Sequence, residues 1–311
     1  MEYKNNKKSY EVIIPEHEEI RDWFKVSSNR KKVWNVELWL LEELKKICEK
    51  HNIKYFADWW TLLWAIRHKW FIPRDDDMDF VMFREDYEKF REVAPKELPA
   101  HIKLCKYHQG FSKLVNINTA ALWYENWWDD DFVGWIWIDI FPIDYASRFM
   151  VINYIKTSIL MFLRIILLWK NADWFVQTMK KWKRSFVYLW KLIFKKISCN
   201  KIYNFHERIS KKVLLKWEYV YNIYLPLMLF HKSIYNNSQI VEFENTTLCI
   251  PDKYEMYLKI KYWDYMTPVI DSKWHYCWYS AKESYKDIIK TFDESKSSEA
   301  NYKNYESLFM L

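Results

Sequence analysis

Glycine is almost missing from this chain: its 311 residues include 2 Gly against 20 Trp. Ordinary usage of ~7% would give about 22 glycines in a protein of this length. The two counts together reach that figure. Cysteine is scarce as well. Cys48, Cys105, Cys199, Cys249 and Cys277 are odd in number, scattered and without CxxC spacing. That argues against a disulfide framework or a structural zinc site, and it suits a reducing compartment. No apolar run lies between Met1 and Arg21, so no secretory signal is visible and a cytoplasmic location is expected. Nor is there an uninterrupted membrane span. The most apolar stretch, Thr157 to Trp169, is broken by Arg164 and stops short of the roughly 20 residues a bilayer requires.

What is present points to a folded α/β protein. Half of the residues are hydrophobic and 29% are charged. That is enough for a core, and too polar for an integral membrane protein throughout. The length allows one large domain or two smaller ones. The net charge of +7 is unevenly spread. Between Arg148 and Lys232 there are 17 Lys or Arg against Asp173, Glu207 and Glu218, a surplus of 14 that leaves the remainder at −7. A basic middle within an acidic chain suggests separate partners for the two parts.

Periodicity divides the chain in the same way. Leu40, Leu44, Ile47 and Cys48 predict an amphipathic helix over Val36–Lys50. Short strands are expected at Ile53–Ala57, Met78–Phe83, Ile102–Tyr107, Phe111–Ile117 and Ala120–Tyr124, with helices at Thr61–His68 and Arg84–Val93. Trp135–Phe141 has the continuous apolar character of a buried strand. Long basic and apolar helices then fill Phe149 to Leu215. Ile240–Ile250 reads as strand and Asp252–Tyr262 as helix, and a loosely held tail follows from Glu294.

The chemistry concentrates in Tyr55–Phe90. Asp75, Asp77 and Asp79 alternate, and a strand through Asp77-Met78-Asp79 would point two carboxylates to one face. Two such carboxylates repel unless a cation lies between them. Hard oxygen ligands suit Mg²⁺ or Mn²⁺. Asp139, inside the apolar run WIWIDIFPID, is the natural third carboxylate. Such a site neutralises a diphosphate and orients displacement at phosphorus. The bland alternative is a solvated turn after Pro73. Arg67, His68 and Lys69 either hold phosphate oxygens or form an exposed helix end whose cations favour the C-terminal dipole.

These residues resemble the LicD-type phosphocholine transferases, relatives of the fukutin-type glycan-modifying proteins. The family pattern runs roughly Asp-Gly-Gly-Thr-Leu-Leu-Gly-Ala-Ile-Arg-His, then Gly-Phe-Ile-Pro-Trp-Asp-Asp-Asp-x-Asp. Here it stands as Asp58-Trp59-Trp60-Thr61-Leu62-Leu63-Trp64-Ala65-Ile66-Arg67-His68, then Trp70-Phe71-Ile72-Pro73-Arg74-Asp75-Asp76-Asp77-Met78-Asp79. Ile138 to Asp144 and IPDKYEMYLKIKYWDYM, followed by His275, extend the likeness from about Val33 to Tyr279. The resemblance implies a nucleotidyltransferase-like mixed sheet with flanking helices, an α/β (α+β) fold. It implies Mg²⁺ or Mn²⁺ and a CDP-activated donor such as CDP-choline, whose phosphocholine passes to a glycan acceptor. Asp77, Asp79 and Asp139 map onto the catalytic, metal-holding carboxylates. Asp58, Trp59, Trp60, Thr61, Arg67, His68, Asp75 and Asp76 fall at substrate-binding positions.

The departures are systematic. Trp59, Trp60, Trp64, Trp70 and Trp263 stand where the family has Gly, and Arg74 where it has Trp. Gly serves in such loops because it adopts positive φ and lets the backbone approach phosphate. Indoles at 59 and 60 would fill that space. Random drift would not convert Gly specifically to Trp, and a designed change has no evident purpose. A UGA glycine codon read as tryptophan accounts for both the positions and the counts. If the tryptophans are genuine, a catalytically inactive, membrane-associated binding protein of the same fold is the rival reading. A CDP-polyol donor is the rival substrate.

The expected organisation is an extension (1–30), a catalytic core (31–148), an inserted basic helical subdomain (149–235), the C-terminal part of the core (236–293) and a tail (294–311). The basic helices suit an anionic membrane surface, with the protein peripheral on the inner face of the cell membrane. No nucleic-acid motif accompanies the charge, so nucleic acid is not expected as a partner.

Overall fold

The computed structural model describes residues 11–22, 24–73, 75, 77–107, 110–123, 134–171, 180–225, 227–267, 277–292, 303, 305 and 308–310. Arg74, Asp76 and His275 lie outside them. A short hairpin, β1 (Glu19–Arg21) with β2 (Phe24–Val26), leads into α1 (Ser28–Lys50). The helix starts at Ser28 rather than Val36 because Ser27 caps it. Its hydroxyl accepts the Arg30 N–H at 3.1 Å. Every residue from Val33 to Leu41 is buried, so this part of α1 is enclosed all round rather than amphipathic, and Leu44 and Ile47 continue the core beyond it. The buried Asn35 amide ties in the chain ahead of the hairpin. It accepts from the N–H groups of Ile13 and Ile14, both at 2.8 Å.

The fold is a mixed α/β one, as expected. β3 (Phe56–Ala57), α2 (Trp59–Arg67), β4 (Asp79–Phe83) and α3 (Arg84–Glu97) follow α1. Next come β5 (Ile102–Tyr107), β6 (Phe111–Asn116), β7 (Ala120–Trp123) and the long β8 (Ile136–Ser147). β8 is buried along nearly its whole length, and the central sheet is built around it. β4 lies parallel to β8 on one side, with β3 beyond it. On its other side, β6 pairs antiparallel with the first half of β8 and carries β5. The second half of β8 pairs with β9 (Lys216–Asn222), which carries β10 (Phe230–His231). A buried ion pair fixes α3 to β8: the Arg84 guanidinium grips both carboxylate oxygens of Asp144, at 2.8 and 2.6 Å.

The basic helices are α4 (Met150–Asn171), α5 (Lys181–Phe194) and α6 (Cys199–Lys211). Leu163, Ile166 and Leu167 of α4 pack on Ile202 of α6 in a small core of their own. α4 is longer than the apolar run Thr157–Trp169. By length and composition alone, Met150–Lys170 would reach across a bilayer. The expected single strand Ile240–Ile250 is instead a hairpin, β11 (Ser238–Phe243) with β12 (Thr246–Pro251). Glu244 makes its turn at φ +51°. α7 (Tyr254–Tyr262) comes next, then β13 (Cys277–Ser280), α8 (Tyr285–Ile289) and β14 (Phe309–Met310). β13 lies between β7 and β14.

Candidate active site

The parallel register of β4 and β8 sets Asp79 opposite Asp139. The Asp139 N–H also donates to the Met78 carbonyl at 2.8 Å, which locks the two strand starts together. Asp77 stands two residues before Asp79 on the same face. One carboxylate oxygen from each of Asp77, Asp79 and Asp139 lies within 4.8 Å of the other two. The alternation seen in the sequence therefore produces a real convergence of three carboxylates.

Neighbouring elements hold that convergence in place. The Asp79 N–H donates to Thr61 Oγ1 at 2.9 Å, so the first turn of α2 positions the start of β4. The Asp58 N–H donates to the Asp79 carbonyl at 2.9 Å. Asp58 is buried, and its carboxylate accepts from Asn222 Nδ2 at 3.1 Å and from the Tyr257 hydroxyl. Lys113 faces Asp139 across β6 and β8, with Nζ 2.6 Å from Oδ1. Burial, followed by the charges of Asp77, Asp139 and Asp58, pushes the Asp79 carboxyl well above the usual range, while Lys261 opposes the shift. A cation placed among these oxygens would relieve the repulsion. Hard, anionic oxygens are the donor set that Mg²⁺ or Mn²⁺ takes.

Lys261 is one of two site residues that the sequence does not point to. It sits on α7, one turn after Tyr257, and donates to the Tyr257 hydroxyl at 2.8 Å. Burial lowers its pKa to about 8 despite the nearby Asp58 and Asp79 carboxylates. Its ammonium lies 3.3 Å from the centroid of the Trp59 ring. The only available signal was the i, i+4 spacing of Tyr257 and Lys261 on a helix whose apolar face was otherwise unremarkable. Tyr224 was missed too. Its ring stands edge-on to Trp59 at 5.7 Å. Burial raises its hydroxyl pKa, and the Asp139, Asp79 and Asp77 charges add to the shift.

The remaining predicted residues spread out. Trp60 is half-buried against the core. Arg67 and His68 close the far end of α2, about 14 Å along the helix axis from Asp58 at ~1.5 Å per residue. There Trp64 stacks on His68 at 4.3 Å and carries the Arg67 guanidinium at 5.2 Å. Burial lowers the pKa of both groups. Asp75 is buried and is not one of the three clustered carboxylates. Its carbonyl accepts from Arg30 at 3.1 Å and from the Trp34 indole at 3.2 Å, which anchors the approach to β4 on α1.

Three carboxylates aligned on adjacent strands beside a helix start could hold a divalent cation. Residues 52–162 match the nucleotidyltransferase domain of the LicD/FKTN/FKRP family. The chain is similar to the lipopolysaccharide cholinephosphotransferase LicD of Haemophilus influenzae, at 40% identity over 65 residues, 21% of this chain and 24% of that protein. An uncharacterised Rickettsia typhi protein is 39% identical over 66 residues, 21% of each chain. One from Rickettsia prowazekii is 37% identical over 57 residues, 18% of this chain and 21% of that one. The chain thus aligns with about a quarter or less of these curated relatives.

Proposed function

We propose that this protein transfers phosphocholine, or a similar phospho-alcohol, from a CDP-activated donor to a sugar hydroxyl of a cell-surface glycan or its precursor. The observation that carries the reading is the convergence of Asp77, Asp79 and Asp139 within a segment of LicD type. These three residues would hold Mg²⁺ or Mn²⁺, which supplies charge neutralisation at the donor diphosphate. The acceptor hydroxyl attacks the choline-bearing phosphorus. The bond from that phosphorus to the bridging oxygen breaks, and CMP leaves. The hydroxyl proton passes to a carboxylate of the same cluster.

The chain's own groups prepare this step. Thr61 and Asp58 fix the backbone of Asp79, so the carboxylate need not reorganise on binding. Lys261 brings a buried positive charge beside Asp58 and Asp79, where phosphate oxygens would approach. One observation favours the rival reading of a non-catalytic binding protein: the Trp59 indole occupies the face of Lys261 that would meet a phosphate.

The test is CMP release from CDP-choline by the full chain with a glycan extract as acceptor, with and without Mn²⁺. CDP-ribitol and CDP-glycerol serve as competing donors. Cation-dependent CMP release that Asp79→Asn and Asp139→Asn abolish is the expected result. Cation-independent release, or equal release by both variants, would refute the assignment. Preferential use of a CDP-polyol would move the donor class.

A further inference from the structure

α4 is built inside out for a helix facing water. Its outward positions carry Val151, Tyr154, Ile155, Ile159, Phe162 and Ile165, all exposed. Its three charged residues turn into the protein. Lys156 is buried and donates to the carbonyls of Ser210 and Lys212, both at 2.7 Å. Arg164 donates to the Tyr224 carbonyl at 2.8 Å, and Lys170 to the Phe194 carbonyl at 3.0 Å. An ordinary surface helix shows the reverse pattern.

The apolar face continues onto neighbouring elements. On α5, Leu189, Leu192 and Ile193 are exposed, Leu192 by 68%. At the start of α4, Phe149 and Met150 stand beside the exposed Leu214 and Leu215, where the Arg148 N–H donates to the Leu215 carbonyl at 3.0 Å. A patch of this extent marks an interaction surface. Its rim settles which kind. Arg148, Lys180, Lys181, Lys195, Lys196 and Lys212 are all exposed there. Among the described residues from 148 to 206 there is no Asp or Glu. A second copy docked on this face would set cation against cation. A bilayer with anionic headgroups accepts both the apolar face and its basic border.

We propose that the outer faces of α4 and α5 form an interfacial membrane-docking surface for anionic lipid. α4 lies in the headgroup region and does not cross, because Lys156, Arg164 and Lys170 bind it to the body of the protein. The Arg164 contact joins this surface to Tyr224 at the wall of the carboxylate site. The docking surface stands on its own, whatever the reaction.

Co-sedimentation of the full chain with vesicles tests it, using phosphatidylcholine alone and phosphatidylcholine with phosphatidylglycerol. Binding to the anionic vesicles that weakens in high salt is expected. Lys195→Gln with Lys196→Gln should lower partitioning at low salt by roughly tenfold or more, at ~1 kcal/mol per basic residue. Ile155→Asp with Leu192→Asp should abolish it while circular dichroism stays unchanged, since both side chains are exposed. Failure to bind anionic vesicles, binding unaffected by the aspartates, or self-association on this face in light scattering would each overturn the proposal.

A second inference rests on backbone geometry. Trp59 and Trp263 have φ of +47° and +56°, the left-handed region where a bulky side chain is strained. The only two glycines, Gly110 and Gly134, also sit at positive φ. Trp263 is 86% exposed, so packing does not explain its conformation. The buried indole Nε1 atoms of Trp59 and Trp70 have no hydrogen-bond partner among the described residues. We infer that the polypeptide made in the source organism carries glycine at 59 and 263, through a codon that other organisms read as tryptophan. Peptide masses from the native source should show glycine at both positions, and tryptophan there would overturn the inference. In the recombinant chain, Trp263→Gly should shift the folding equilibrium about tenfold toward the native state, while Trp263→Ala, which keeps a Cβ, should not. Equal behaviour of the two variants would remove the backbone argument.

Discussion

Removing the Asp79 charge should stabilise the metal-free protein and abolish its response to metal. One oxygen of Asp79 lies within 4.8 Å of oxygens from both Asp77 and Asp139. At that separation, two unit charges repel by about 3.5 kcal/mol at an effective dielectric of ~20, and by under 1 kcal/mol in bulk water. The Lys113 ammonium on Asp139 offsets part of this. Asp79→Asn should therefore gain about 1–2 kcal/mol in EDTA, a rise of several degrees in Tm. With Mn²⁺ the order reverses. A ligand at 100 times its Kd adds about 2.7 kcal/mol to the wild type and little to the variant.

The pH dependence follows from the sign of the Asp79 shift. Its folded pKa is raised. The repulsion is thus fully present above the folded value and is relieved as the pH falls through that value toward the unfolded one. The wild type and Asp79→Asn should converge in EDTA as the pH drops. Differential scanning calorimetry in EDTA and in Mn²⁺ reads both effects. An Asp79→Asn variant that is less stable in EDTA, yet gains as much from Mn²⁺ as the wild type, would refute the reasoning.

Lys261→Met should keep the fold and weaken donor binding at least tenfold, read as a rise in KM for CDP-choline larger than the fall in kcat; an unchanged KM would remove Lys261 from the phosphate path. Arg84→Met leaves the buried Asp144 carboxylate uncompensated and should cost about 3–5 kcal/mol in denaturant unfolding, and a cost below 1 kcal/mol would mean that the pair is not structural. Burial lowers the His206 pKa to about 3. The unfolded chain binds this proton near the usual value of about 6.5 and the native protein does not, so stability should fall as the pH drops across that window, by at most about 1.4 kcal/mol per pH unit. His206→Phe should flatten that slope, and an unaltered slope would place the acid sensitivity elsewhere.

What the sequence made legible was local. The period-two spacing of Asp77 and Asp79 needs no tertiary information, and neither does the apolar run around Asp139. The parallel register that sets Asp79 against Asp139 is a long-range fact, anticipated only through the resemblance. Lys261 and Tyr224 reach the site from α7 and from the turn after β9, distant in sequence, and each looks like an ordinary residue in its own segment. The β11–β12 hairpin reads in sequence as one strand because a Glu at φ +51° makes its turn, with no Gly to mark it. α4 outran its apolar core because Lys156 and Lys170 satisfy backbone carbonyls inside the fold. Sequence alone reads such lysines as polar ends.

The central claim is that Asp77, Asp79 and Asp139 form one divalent-cation site. Electron paramagnetic resonance of Mn²⁺ titrated into the full chain tests it directly, with Asp79→Asn and Asp139→Asn alongside. Uptake of Mn²⁺ by the wild type and its loss in both variants is the predicted result. Equal uptake by all three proteins, or none by the wild type, would contradict it.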